Sequence, residues 1–470
     1  MLSMAANNGG VTTTVPAPGA THSGRGGLLR LSQPSREVLV AAGVAAGAVA
    51  VIYMWWHDTA GATVVGAGPF LTAGGRVTGL LGTYLIVVEV LLMARVTWLD
   101  RMIGMDRLAV WHRRNGEYAV SLLVAHAVLI IWGYALTAHA GLVGETKSVV
   151  LDYPDMLAAT VGLGLLVGVG VLSARALRRR VSYHTWYFVH LYVYIALALS
   201  FAHQFNAGAD FATHPLNRVI WAVMYGVVAA LLVAYRVVKP LVQLARHRFV
   251  VVGTTNEAPG VISVYVSGRD LDQFPVEAGQ FFMWRFLTRQ GWWQAHPFSL
   301  SSAPNGRWLR LTAKSLGDYS SALRHLHPGT KVLLEGPYGA FTRDRRRRRK
   351  ALMIGAGIGV APLRALMEVL PARPGDMTFV YRAGDTAHLA LRAELDELAT
   401  RRGARVHYLV GSRADHPEYL APDHILQMAP DVVDQDVFVC GPDSFTTLVR
   451  GSLRALGVPA RQVHTESFEF

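Results

Sequence analysis

Residues 108–138 read LAVWHRRNGEYAVSLLVAHAVLIIWGYALTA, and residues 186–205 read WYFVHLYVYIALALSFAHQF. Both stretches are long and apolar enough to cross a bilayer, which takes about 20 helical residues. The first carries His112 and His126, the second His190 and His203. At 1.5 Å per residue these steps span about 21 Å and about 20 Å, so each helix offers one histidine near each membrane face. At about 100° per residue His112 and His126 fall within about 40° of one another, whereas His190 and His203 are about 140° apart. The second pair therefore requires a bulge, a tilt or a ligand lying off the helix axis. A single histidine in an apolar stretch is ordinarily a hydrogen-bonded core residue. Four at matched spacing on two spans form a different pattern, that of two bis-histidyl b-type haems, one above the other.

Working outward, the chain has 470 residues, 52% of them hydrophobic, and a mean hydropathy of +0.29. That combination describes a multi-domain membrane protein with a soluble part. The apolar excess ends near residue 240, and six spans are expected at 38–56, 77–94, 118–138, 156–174, 186–205 and 219–235, the third starting early, near Leu108. Residues 1–36 are rich in Gly, Ala, Thr, Ser and Pro without apolar periodicity and read as a disordered tail, with no compact signal peptide before the first span. The formal charge of +13 does not point to nucleic acid, because of where it lies. Arginines crowd the second connection (Arg95, Arg101, Arg107, Arg113, Arg114), the fourth (Arg175, Arg178, Arg179, Arg180) and the exit from the sixth span (Arg236, Lys239, Arg246, Arg248). By the positive-inside rule the N-terminus and everything after residue 240 are cytoplasmic in a multi-pass cell-membrane protein.

The same parity pairs His112 with His190 at the inner level and His126 with His203 at the outer level. His184 competes with His190, but its 19-residue step to His203 needs about 28 Å, nearly the whole hydrocarbon core. His57, His139 and His214 fall in outer connections. Glu89, inside the second span, reads as a proton-handling group or a hydrogen-bonded structural one. The run Arg343 to Lys350 is a solvated loop or an anionic-lipid contact. The single cysteine, Cys440, excludes an internal disulfide and a four-cysteine iron–sulfur cluster, so electron carriers must be organic or histidine-bound.

After residue 241 short β-rich runs (249–252, 261–266, 308–311) separated by Gly and Pro predict a small antiparallel β-barrel. From about 350 strands alternate with helices: strands at 351–354, 377–381, 405–410 and 436–440, helices at 362–370 and 389–399. This is the pattern of an α/β domain built on a parallel nucleotide-binding sheet. Gly355-Ala356-Gly357-Ile358-Gly359-Val360-Ala361-Pro362 joins the first of these strands to a helix. Glycines let a phosphate approach the backbone and the helix N-terminus supplies amide donors. The spacing departs from G-x-G-x-x-G, so the dinucleotide fold is a variant.

The ordered motifs His296-Pro297-Phe298-Ser299-Leu300-Ser301-Ser302-Ala303-Pro304, Gly336-Pro337-Tyr338-Gly339, the Gly-rich turn and Cys440-Gly441-Pro442 resemble those of the ferredoxin–NADP reductase type of FAD dehydrogenase. Joined to the four histidines, they resemble the ferric reductase and NADPH oxidase family of transmembrane flavocytochromes over nearly all but the N-terminal tail. The resemblance implies a division into a tail (1–36), a six-helix haem-binding transmembrane domain (37–240), an FAD-binding β-barrel (243–346) and an NAD(P)-binding α/β domain (347–470). It implies that His296, Pro297, Phe298 and Ser299 line the flavin, with the Ser299 hydroxyl near the reactive N5, and that Gly317 and Ser320 contact the FAD pyrophosphate. Gly355, Gly357, Gly359 and Pro362 would cradle the nucleotide. Cys440, with Gly441 and Pro442, would lie beside the nicotinamide, and the terminal Phe470 would stack on the flavin until the nicotinamide displaces it. Arg382 and Arg413 follow the second and third parallel strands, and no acidic residue is expected at the end of the second; NADPH is favoured, with NADH possible.

The implied activity is an NAD(P)H-dependent flavocytochrome oxidoreductase, passing electrons from cytoplasmic NAD(P)H through FAD and two haems to an extracytoplasmic acceptor. Ferric chelates, dioxygen, a quinone and a periplasmic protein all remain open as acceptors. Arg113 and Arg114 pair with haem propionates or are positive-inside charges. Two competing readings are a transporter or membrane anchor fused to a flavin reductase, and a membrane-anchored cytoplasmic reductase that serves a partner protein with its histidines structural.

Overall fold

The computed structural model describes residues 33–59, 64–178, 180, 181, 183–212, 214–412 and 414–466. Most of the expected tail, 1–32, lies outside these residues, and its last four residues open the first helix, Gln33–Thr59.

Among the described residues, six helices are long and apolar enough to cross a membrane: Ser35–Thr59, Ala67–Met93, Arg107–Thr137, Met156–Ser173, Thr185–Asn206 and Pro215–His247. The second starts ten residues before its expected position, and the sixth runs on past residue 240. The third, within the helix Met105–Thr137, is continuous and contains both His112 and His126. The fifth is not continuous. It is built of Tyr183–His190, Tyr192–Leu199 and Phe201–Asn206, interrupted at Leu191 and Ser200. These two joints lie between His190 and His203, where an ideal helix would turn the pair about 140° apart.

The second and third spans pack closest, and glycine is the reason. A Cβ on Gly75 would stand 3.0 Å from the backbone nitrogen of Ile130, and one on Gly133 would stand 2.8 Å from that of Thr72. In a bilayer, where lipid and side chain are equally apolar, such small-residue contacts drive helix pairing by van der Waals packing.

The soluble half begins with two three-stranded antiparallel sheets. One is ordered β1 (Val250–Ala258), β2 (Val261–Ser267), β5 (Leu309–Lys314). The other is ordered β4 (His296–Ser299), β3 (Phe281–Phe286), β6 (Val332–Tyr338). Among the described residues the sheets share no ladder and are joined at their edges by the isolated bridges Val250–Lys331 and Leu300–Leu311 and by backbone bonds such as Val332 to Phe249 at 3.0 Å. The expected closed barrel is thus two sheets touching at their edges. Alternation along β3 puts Phe282, Trp284 and Phe286 in the shared core, each worth about 1.5–3 kcal/mol of burial.

The last quarter carries one five-stranded parallel sheet, β11-β10-β7-β8-β9, with β7 Lys350–Ala356, β8 Met377–Ala383, β9 Arg405–Val410, β10 Gln435–Cys440 and β11 Val463–Glu466. From β7 the chain proceeds outward through β8 and β9, then crosses to β10 on the other side. The order reverses between β7 and β10, where ligands of open α/β sheets settle at the strand C-termini.

Candidate functional site

In the membrane half, His112 and His190 come together with ring centroids 5.9 Å apart and planes at 72°. His126 and His203 lie within electrostatic reach of each other one level further from the soluble half. The side chain of His184, the alternative to His190, is outside the described residues. Among those described, no three His, Cys, Asp or Glu side chains gather as a metal site; His112 and His190 meet as a pair.

The surroundings hold three of the four rings by one nitrogen. Nδ1 of His126 is 2.7 Å from the carbonyl oxygen of Gly75. Nδ1 of His112 contacts the carboxylate of Glu89. Nδ1 of His190 is 3.5 Å from Ser173 Oγ, which also accepts from Trp186 Nε1 at 3.1 Å. An imidazole whose Nδ1–H donates to an oxygen presents Nε2 as its free lone pair, the arrangement that metal-bound histidines use. Glu89 also accepts from Asn115 Nδ2 at 2.5 Å, so the carboxylate has hydrogen-bond partners within the span. Gly79 completes the seat, since a Cβ there would stand 2.5 Å from His126 Nδ1. The repeat Gly68, Gly75, Gly79, Gly82 was visible in the sequence as a signal of close helix approach, although it named no ligand. Arg113 and Arg114 are exposed, directly after His112.

The expected flavin shelf lies on β4. Pairing across β3 sets Ser299 opposite Phe281, Phe298 opposite Phe282 and His296 opposite Trp284, and Trp284 Nε1 donates to the Phe298 carbonyl at 2.8 Å. Ser299 is buried, while His296, Pro297 and Phe298 are half-exposed. The His296 ring stacks on Tyr319 at 3.9 Å between centroids, a partner the sequence did not suggest. Burial pushes the Tyr319 hydroxyl up to about 12, so it remains a proton donor at neutral pH, directed at the Trp284 carbonyl 3.2 Å away. In the turn before the helix Asp318–Ala322, Ser320 Oγ accepts from the backbone nitrogens of Leu316 and Gly317 at 2.9 and 3.1 Å. Ser320 therefore shapes its own turn, and Gly317 lies exposed beside it.

The nucleotide end is built around β7 and β10. Cys440 pairs in register with Gly355 and is fully buried. A Cβ on Gly359 would stand 2.2 Å from the Cys440 carbonyl oxygen, so the two turns touch, and Gly441 and Pro442 follow directly. Gly357, at φ +54°, opens a short turn into the helix Val360–Val369, with the buried Pro362 in its first turn. Beside it lies a cleft of about 430 Å³ lined by Gly357, Ile358, Arg382, Asp385, His388 and Ser412, among others. The Arg382 guanidinium sits 5.6 Å over the Tyr419 ring and donates to the Gly411 carbonyl at 3.3 Å. The end of β8 is not free of acid, contrary to expectation, because Asp385 lines the same cleft. Its carboxylate is turned to His388, accepting from the backbone nitrogen at 3.0 Å and meeting Nδ1 at 2.7 Å; the ring bond holds it below the usual carboxylate range. Arg413 and Phe470 lie outside the described residues.

A charged link that the sequence did not reveal joins the FAD-type and NAD-type parts. Arg310 of β5, 2% exposed, donates to both oxygens of Glu394 at 2.6 and 2.8 Å. Arg364 reaches Glu394 at 3.1 Å and Glu368 at 2.5 Å. Burial works to raise the Glu394 carboxyl, but the two guanidiniums outweigh it and hold it below its ordinary range.

Three family models match the chain in order. They are a ferric reductase like transmembrane component over residues 78–201, an FAD-binding domain over 255–342 and an oxidoreductase NAD-binding domain over 353–451. Ferredoxin–NADP reductase B of Sorangium cellulosum is 30% identical over 239 residues, 45% of this chain and 93% of that protein. A flavohemoprotein of Chromobacterium violaceum is 30% identical over 236 residues, 45% of this chain, and the match spans only 58% of that relative's length. Among solved structures, the FAD/NAD-binding domain of nitric oxide dioxygenase from Vibrio cholerae O1 biovar El Tor aligns at 24% identity and a TM-score of 0.39, over 47% of this chain and 97% of that one.

Proposed function

The chain belongs to the ferric reductase and NADPH oxidase-like proteins, a transmembrane component of that kind followed by the FAD and NAD domains of a ferredoxin–NADP reductase-type half, and from that premise we propose that it moves electrons from cytoplasmic NAD(P)H across the membrane to an extracytoplasmic acceptor such as ferric iron or dioxygen. The observation that carries the reading is the pairing of His112 with His190, with His126 and His203 one level beyond. Pairs suit a metal whose other four ligands come from a macrocycle. FAD supplies the change from two-electron hydride chemistry to single electrons, and two b-type haems supply one-electron relay.

The residues have separable tasks. His112 and His190 hold the inner haem and His126 and His203 the outer, with Glu89, Ser173 and the Gly75 carbonyl fixing which nitrogen faces the metal. His296, Pro297, Phe298 and Ser299 shape the flavin shelf, while Gly317 and Ser320 form a turn whose amides meet the pyrophosphate. The Gly355 to Pro362 turn receives the dinucleotide, and Cys440 with Gly441 and Pro442 leaves room for the nicotinamide against the shelf. Phe470 is assigned to cover the flavin when no nicotinamide is present. Arg382, in the cleft, is assigned to a 2′-phosphate, with Arg413 assigned there from its sequence position, which favours NADPH over NADH. The arginine-rich connections support a cytoplasmic N-terminus and dehydrogenase half in a cell-membrane protein.

A reduced-minus-oxidised spectrum of the purified protein tests the relay, and haem b bands are expected. In sealed vesicles, NADPH added on the dehydrogenase side should reduce an impermeant ferric chelate or oxygen enclosed on the other. His126→Ala with His203→Ala should abolish that transfer and leave NADPH oxidation by ferricyanide intact. A flavin spectrum without haem sinks the proposal.

A further inference from the structure

Three polar contacts from the membrane half converge on one short segment of the soluble half, Glu335 to Gly339. Arg95, at the end of the second span, pairs with the Glu335 carboxylate, and its guanidinium lies 5.7 Å over the Tyr338 ring. Asp100, in the short helix Thr97–Ile103 that links the second and third spans, accepts from the backbone nitrogen of Gly339 at 3.0 Å. Gln243, near the end of the sixth span, donates to the Gly336 carbonyl at 3.1 Å. Lys239 of the same helix ties the link in place through Thr97 Oγ1 at 2.7 Å.

What the segment touches next makes the convergence informative. Tyr338 pairs with Phe281 on one side of β3, and Ser299 pairs with the same Phe281 on the other. A shift of Gly339 is therefore passed along one row of the sheet to Ser299. On the membrane side, Asp100 is followed by Gly104 and then by the helix that bears His112, eight residues and about 12 Å further on. One carboxylate thus stands between the flavin shelf and the first histidine pair. It is 1% exposed, and a hydrogen bond from a backbone amide to a carboxylate is stronger than one between neutral groups.

We propose that the link between the second and third spans is a latch for the dehydrogenase half, and that Asp100 is a positioning residue that sets the distance and angle over which electrons pass from the flavin shelf to the His112–His190 pair. The proposal rests on the transmembrane relay proposed above. It assigns no chemistry to Asp100, which touches neither cofactor.

Asp100→Ala removes the acceptor, and Asp100→Asn keeps an oxygen that can take the Gly339 amide. With the full-length protein, Asp100→Ala should keep its FAD and haem content, its KM for NADPH and its rate with ferricyanide, which draws electrons from the flavin. Anaerobic haem reduction by NADPH should slow by about tenfold, the scale on which small misplacements act, and Asp100→Asn should restore most of it. Hydrogen exchange in the peptide covering Glu335 to Phe341 reads the contact without any haem: Asp100→Ala should exchange faster there and Asp100→Asn near the original rate. Haem reduction or peptide exchange in Asp100→Ala that matches the unaltered protein overturns the latch. Should Asp100→Ala fail to accumulate, Gln243→Leu gives the same two readouts, with a smaller slowing expected and an unchanged rate overturning the proposal. An unaltered protein that contains no haem fails the relay itself, and the exchange result then decides the latch alone.

Discussion

At the scale of single residues, the cleft beside β8 presents two cations, Arg382 and Lys314, and one carboxylate, Asp385. Asp385 is engaged by His388, which leaves the Arg382 guanidinium, on the second parallel strand, and the Lys314 ammonium as the charges available to a phosphate. Losing a charge-assisted hydrogen bond costs about 1.5–3 kcal/mol, about tenfold to a hundredfold in affinity. Arg382→Ala should therefore raise KM for NADPH by at least about tenfold and leave KM for NADH nearly unchanged, as steady-state assays with both donors will read. Equal shifts for the two donors would remove the 2′-phosphate assignment. Glu89 illustrates the limit of reading residues from sequence: a carboxylate in a span announces that it needs a partner, but only the fold shows that His112 and Asn115 are those partners.

At the scale of elements, the paired second and third spans carry a prediction whose sign runs against helix propensity. Replacing glycine by alanine inside a helix ordinarily stabilises it by about 1 kcal/mol. At Gly79 the new methyl group would stand 2.5 Å from His126 Nδ1, so Gly79→Ala should displace that ring. Potentiometric titration of the haem bands should show one component lost or shifted and the other retained, with ferricyanide reduction unaffected. Two unshifted components would mean that the ring has room to move. Length and hydropathy made the six spans legible, because bilayer thickness imposes both. The joints at Leu191 and Ser200 carried no such mark, since neither glycine nor proline stands there; only the 13-residue step between His190 and His203 pointed to an irregular helix. The two-sheet form of the FAD part was likewise hidden, since short alternating strands look the same whether a sheet closes or splits. The parallel sheet was legible through its strand–helix alternation, except for β11, whose four residues near the chain end are too short to show a period.

At the scale of the whole molecule, the FAD and NAD parts are held by buried charge as well as apolar contact. The Glu394 carboxyl is depressed by Arg310 and Arg364, so its contribution to stability is fully present above its ordinary pKa, about 4.3, and is lost as pH falls through the lowered value. The unfolding temperature should accordingly fall as the pH is taken below about 4.3, the ordinary value. Glu394→Gln should be less stable at neutral pH, because it leaves Arg310 buried without its counter-charge, and flatter across the acid range, as differential scanning fluorimetry of the full-length protein will record. Parallel acid profiles for the two proteins would show that other carboxylates set the slope. No sequence pattern announced this link, since Arg310 and Glu394 are 84 positions apart and each looks like an ordinary surface charge.

The contrast between the third and fifth spans divides labour in a way that either helix alone could not. One is an unbroken rod of 33 residues, a ruler that fixes how far apart two stations stand across the bilayer. The other is jointed twice between its two histidines, so each station can be re-aimed without disturbing its neighbour. Substitutions around one joint can therefore tune a single station while the span between the two stays constant.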